Sequence, residues 1–215
     1  MNAYLKQLAI GAVLAIGLAA APTMAQHDGD GDHDNDMKSA DAAAQVKCPV
    51  SGESANMSVS LATDDGPVFF CCKDCMAKFK ADPANYAKGA AAQRKELAKL
   101  SKVQVTCPVT KKPIDPDVSI ESQGKTVEFC CKGCVGKYKA DPEKYASALA
   151  NSYTYQTKCP VSGEQIDPAA FVTTASGKKI YFCCKHCVKK FEKDPEKFAS
   201  SLAKQGISLD AKDLK

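Results

Sequence analysis

The chain has 215 residues and a formal net charge of +4 at pH 7, and its lysines are spread along its length instead of forming one basic stripe. That distribution, with aromatics recurring at core-like positions, argues against nucleic-acid binding; nothing resembles a catalytic triad, a carboxylate pair or a phosphate loop. Length alone suggests one or two domains, but twelve cysteines in a repeated pattern overrule that count.

Residues 1–25 read as an export signal. Lys6 lies near the start, an apolar run follows, and Thr23-Met24-Ala25 supplies a small-residue cleavage site. The run is short for a membrane span, no cysteine at the cleavage point could carry a lipid, and no twin-arginine pair is present. The expectation is a periplasmic or secreted protein with no stable membrane anchor after cleavage. Residues 26–43 form an acidic tract containing His27, His33 and alternating aspartates, which cannot build a core and reads as a disordered linker. Twelve positions from Asp28 or Asp30 there is no glutamate, so the tract does not complete a calcium loop.

Three units follow, at 44–90, 103–150 and 151–203. Each opens with a Cys-Pro-Val turn, at Cys48, Cys107 and Cys159, and 23, 23 and 24 residues later reaches a cluster of three cysteines. The clusters are Cys71, Cys72 and Cys75; Cys130, Cys131 and Cys134; Cys183, Cys184 and Cys187. Between turn and cluster, alternating segments around Asp64-Asp65-Gly66, Gln123-Gly124 and Ser176-Gly177 predict a β-hairpin. After the cluster the spacing turns helical, and Asp82-Pro83, Asp141-Pro142 and Asp194-Pro195 stop one helix and start another. The pairs Phe79/Tyr86, Tyr138/Tyr145 and Phe191/Phe198 read as core residues folded back on the hairpin. Residues 91–102 read as a helical linker, and 204–215 as a tail with only Ile207 and Leu209 to dock. Units of about 45 residues rarely stand on their own core and need a disulfide, a metal or neighbours.

A turn, a hairpin and a strand-to-helix junction can bring thiolates to one point. The helix N-terminus is expected to lower cysteine pKa values, and Lys73, Lys132 and Lys185 inside the clusters offset charge. Sulfur donors without a repeated histidine or carboxylate imply zinc first and copper(I) next, up to three ions in all. His186 stands where the other clusters have Asp74 and Gly133, and reads as a surface residue.

Unit by unit, the sequence resembles the TRASH/YHS class of cysteine-rich metal-binding domains. Carrying that pattern are Cys48, Cys71 and Cys75 with Phe70, Phe79, Pro83 and Tyr86; Cys107, Cys130 and Cys134 with Phe129, Tyr138, Pro142 and Tyr145; and Cys159, Cys183 and Cys187 with Phe182, Phe191, Pro195 and Phe198. The resemblance implies a small α+β fold, three tandem treble-clef-like units after the signal peptide, and a role in binding, sensing or carrying heavy metals. Many relatives have a second cysteine in the first turn, where this chain has Ser51, Thr110 and Ser162; it gains Cys72, Cys131 and Cys184 instead. Three or four thiolates per ion therefore both remain open.

The expectation is a non-enzymatic exported buffer, carrier or sensor, whose partners are metal ions together with a metal transporter or another exported protein. Two alternatives stand beside it. Exported cysteines commonly form disulfides, which would make a stapled interaction scaffold, and Cys-x-x-Cys at a helix start is the arrangement of thiol-disulfide oxidoreductases.

Overall fold

The computed structural model describes residues 45–214. The expected signal peptide, the whole of the acidic linker and the last residue lie outside that range.

Each unit is a cysteine turn, a two-stranded antiparallel hairpin and a helix pair. Unit one has β1 (Asn56–Thr63), β2 (Gly66–Phe70), α1 (Lys73–Ala81) and α2 (Ala87–Leu97). In unit two, β3 (Val103–Gln104) precedes β4 (Asp115–Ser122), β5 (Lys125–Phe129), α3 (Lys132–Ala140) and α4 (Ala146–Ala150). Unit three has β6 (Tyr153–Thr154), β7 (Asp167–Thr173), β8 (Lys179–Phe182), α5 (Lys185–Lys193) and α6 (Ala199–Ala203). This is the small α+β, treble-clef-like plan expected from the sequence, three times over. Among the described residues no helix is long and apolar enough to cross a membrane.

Each hairpin is bent at the same place for the same reason. The register slips after Asn56, Asp115 and Asp167, whose side-chain oxygens accept the backbone N–H two residues on, from Ser58, Asp117 and Ala169. Such local side-chain bonds compete with the strand ladder and open a bulge. After the first helix, Asp82, Asp141 and Asp194 accept the N–H groups of Asn85, Lys144 and Lys197, and so cap a short 3-10 turn. That reversal stacks Phe79 on Tyr86 at 6.3 Å while Phe79 meets Phe70 edge-on at 5.3 Å. The paired aromatics therefore fold back on the hairpin as expected. In unit one the second helix runs from Ala87 instead of beginning at the linker, and it lies so close to the first turn that a Cβ on Gly89 would meet the Pro49 carbonyl oxygen at 2.8 Å.

The units are packed together. Unit one contributes Val46, Met57 and Phe69 to a core shared with Tyr155, Phe182, Leu202 and Ile207 of unit three and its tail, and Phe69 and Tyr155 meet edge-on at 5.5 Å. Units two and three pair their entry segments, Val103 with Thr154 and Gln104 with Tyr153, and Val105 packs with Ile166 and Tyr181. Ser147 of unit two and Asn151 at the start of unit three both donate to the Thr63 carbonyl, joining them to the hairpin of unit one. Pooling cores in this way supplies apolar burial that one unit lacks.

The tail docks far more firmly than its two apolar residues suggest. Ile207 is 3% exposed, the Met57 N–H donates to the Gly206 carbonyl and Asn56 donates to the Ser208 carbonyl. Polar residues complete the anchor. Asp213 accepts from the Ser176 N–H and hydroxyl, both at 2.7 Å. Lys178 Nζ, almost wholly buried, reaches the Ser208 carbonyl at 2.7 Å, Asp210 at 3.1 Å and Asp213 at 3.4 Å. Burial would raise the Asp213 carboxyl, but these donors and the Asp210 N–H hold it well below the usual carboxylate range. A depressed folded-state pKa stabilises above the unfolded value of about 3.9, and that contribution is lost as the pH falls below it. Asp213→Ala is expected to cost about 1–3 kcal/mol at neutral pH, measured by urea unfolding, with the gap to the parent closing as the pH is taken down through 4 to 2.

Candidate metal centres

The first cysteine of each unit sits in a closed backbone turn. Cys48 N–H donates to the Glu53 carbonyl at 2.7 Å and Gly52 N–H returns to the Cys48 carbonyl at 2.9 Å; Cys107 with Lys112 and Lys111, and Cys159 with Glu164 and Gly163, repeat this. The fifth residue of the turn must take positive φ, which Gly52 and Gly163 do freely at 76° and 78°. Lys111 is forced into the same region at φ 60°, a conformation side chains resist. The turn is kept where glycine is absent, so the bonds around the cysteine outweigh that strain.

The cysteine cluster stands where the second hairpin strand passes into α1, α3 or α5. There the sulfurs of Cys48, Cys71 and Cys75 all lie within 4.8 Å of one another, as do those of Cys107, Cys130 and Cys134, and of Cys159, Cys183 and Cys187. The closest separations, Cys71–Cys75, Cys130–Cys134 and Cys183–Cys187, are 3.5, 3.6 and 3.6 Å. Two thiolates on one ion with bonds of about 2.3 Å lie about 3.8 Å apart, so these triads are near the size an ion requires. All twelve cysteines carry free thiols.

Burial is graded identically in the three units. The first and last cysteines of each set are buried, the second is partly exposed, and Cys72, Cys131 and Cys184 are exposed. These three cap α1, α3 and α5 in extended conformation, with sulfurs 3.7, 4.0 and 3.8 Å from those of Cys71, Cys130 and Cys183. Ser51, Thr110 and Ser162 place their hydroxyls on those same partly exposed sulfurs at 3.2–3.3 Å. His186 is exposed and outside the triads. Lys73 does not turn to the sulfurs; its amine donates to the Ser176 carbonyl of unit three.

The first and last cysteines of each set are shifted in opposite directions. Burial raises the Cys48 thiol, but the N–H groups of Ser51, Cys71 and Val50 and the Ser51 hydroxyl outweigh it and bring it down to about 7. Cys107 is likewise brought to about 7 by the amides of Cys130, Thr110 and Val109 against burial, and Cys159 is lowered in the same way. Burial pushes Cys71 up to about 12, helped by its sulfur neighbours and opposed by Ser51. Cys134 stands at about 12 through burial and the other sulfurs; Cys75 and Cys187 are also raised, burial foremost. The helix N-terminus thus lowers only part of the cluster. It acts on Cys72, Cys131 and Cys184 through the N–H groups of Cys75, Cys134 and Cys187, while desolvation wins at the buried cysteines one turn later.

A set of residues missed by sequence reasoning fixes this geometry. The side-chain amide of Gln156 bonds both the N–H and the carbonyl of Tyr181, at 2.9 and 2.6 Å, and also the Lys158 carbonyl. Gln104 does the same with Glu128 and Thr106, and Gln93 with Phe69 and Lys47. Each glutamine therefore ties the residue before the first cysteine to the strand residue two places before the cluster. The signal was present, since Gln45, Gln104 and Gln156 all stand three residues before the first cysteine; in unit one, however, Gln93 of α2 makes the bonds.

Residues 157–201 match the family model of the YHS domain. That match covers most of unit three, and units one and two repeat its cysteine triad, hairpin and helix. No curated protein and no solved structure gives a significant match. The three triads could each take a metal ion, with sulfur as the sole donor type.

Gln156→Ala would leave the Tyr181 N–H and carbonyl unpaired in the interior, at an expected cost of about 2–4 kcal/mol. Thermal unfolding of the reduced protein checks it, and Gln156→Glu, which sets a buried carboxylate against the Tyr181 and Lys158 carbonyls, should cost at least as much at neutral pH.

Proposed function

We propose that this is a non-enzymatic, exported metal-binding protein that buffers or carries a soft ion, taking one ion in each of its three units. The observation that supports this best is the convergence of three buried or half-buried sulfurs, repeated three times on one scaffold. Three sulfurs with no nitrogen or oxygen ligand suit a soft or borderline cation. Copper(I), which is satisfied by few thiolates, fits a set of three; zinc, which closes structural sites with four ligands, would have to recruit Cys72, Cys131 or Cys184 from the surface. Three sulfurs within 4.8 Å of one another in each unit favour ion binding over the stapled scaffold, because a disulfide joins only two. Export rests on the reading of residues 1–25, and the acceptor is an exported or membrane-bound metal carrier.

Thiols such as Cys71 and Cys134 must give up protons to bind, so loading releases protons and affinity falls as the pH drops. The first cysteine of each set closes its own site and no other. Native mass spectrometry of the reduced protein should therefore show three ions bound, and Cys107→Ser should bind two. Three ions bound to Cys107→Ser would remove Cys107 from the ligand set; a parent chain that binds none and runs light by six hydrogen pairs would replace the metal reading with a disulfide scaffold.

A further inference from the structure

The triads leave one cysteine per unit unused, and its placement is too regular to be incidental. Cys72, Cys131 and Cys184 are exposed in all three units, while the first and last cysteines of each set are buried. Each lies at the N-cap position in extended conformation, its sulfur among the N–H groups of the first helical turn. Each is also within 4.0 Å of a triad sulfur, and Cys131 is 3.6 Å from a second one, Cys134. A thiol that is the most open to solvent of its unit and yet close enough to share an ion with the triad can meet an acceptor and the bound ion at once.

We propose that Cys72, Cys131 and Cys184 are the transfer ligands of the three sites, through which an ion passes between the buried triad and an acceptor presenting its own cysteine thiols. The inference rests on the metal reading given above. In the outward direction the exposed sulfur bonds the ion as one triad bond breaks, and the triad sulfur released takes the proton of the exposed thiol. Two acceptor thiols then bond the ion in turn as the two remaining triad bonds break, each released sulfur taking the proton of the thiol that displaced it. The last bond, to Cys72, breaks as the ion leaves two-coordinate, with the Cys72 sulfur taking a proton from solvent. The ion keeps its oxidation state throughout, and no electron leaves the protein. The hydroxyls of Ser51, Thr110 and Ser162 already occupy one side of the partly exposed triad sulfurs, which leaves the exposed cysteine as the approach for an incoming thiol.

The test uses the full chain with Cys72→Ser, Cys131→Ser and Cys184→Ser combined. Serine is a good N-cap, so the helices are kept, and it is a poor ligand for a soft ion. Parent and variant are loaded anaerobically with copper(I) and mixed with a synthetic Cys-Gly-Gly-Cys peptide, and copper in the separated peptide is followed with time. The variant is expected to hold three ions, as the parent does, and to transfer them about tenfold more slowly or worse. Equal transfer rates would overturn the proposal while leaving the metal sites standing. Fewer than three ions in the variant would make these cysteines permanent ligands and overturn it as well. A parent chain that takes up no copper would remove the proposal together with the reading beneath it.

Discussion

Three thiols crowded at a strand-to-helix junction cannot all lose their protons unless a cation sits among them. In the protein alone, the first cysteine gives up its proton most readily because the amides of its own turn and of the cluster converge on it, while burial, helped by the neighbouring sulfurs, pushes Cys71 and Cys134 up. The conformation of each unit serves to hold this costly group together. The closed turn fixes one sulfur, the hairpin sets the distance to the next, and a glutamine amide rivets the two segments a residue or two away from the sulfurs. Charge that the scaffold concentrates but does not neutralise is what draws an ion.

The second constraint is size. A unit this small is marginal alone, and the chain meets that in two ways. Units one and three share a core, with Phe69 against Tyr155, and units two and three pair β3 with β6. The tail then returns to unit one through Ser208 and Gly206 and is locked by Asp213 and Lys178. The three cysteine triads therefore stand on one packed body.

The repeated parts of the fold were legible in the sequence because they depend on local signals. Cys-Pro-Val, the turn dipeptides, the Asp-Pro starts and the paired aromatics each act within a few residues, and the structure has hairpins, helices and stacked rings where they placed them. What could not be read depends on pairs far apart. Gln93 reaches Phe69 across 24 residues and Asp213 reaches Ser176 across 37, and a lone glutamine or aspartate carries no mark of such a partner. The bulges after Asn56, Asp115 and Asp167 were equally silent, since asparagine and aspartate in a strand read as breaks. For the cysteines, the pattern named the candidates without grading them; only the burial of Cys75 against the exposure of Cys72 separates a triad from its neighbour.

The central claim is that buried sulfur triads hold the ion. X-ray absorption at the copper edge of the copper(I)-loaded full chain tests it most directly, because it counts the sulfurs around the metal and detects any lighter ligand. The account predicts a first shell of three sulfur atoms per copper at about 2.3 Å, with no nitrogen or oxygen. A shell containing imidazole nitrogen or carboxylate oxygen would contradict it, and would move the binding to the histidines and aspartates of residues 26–43.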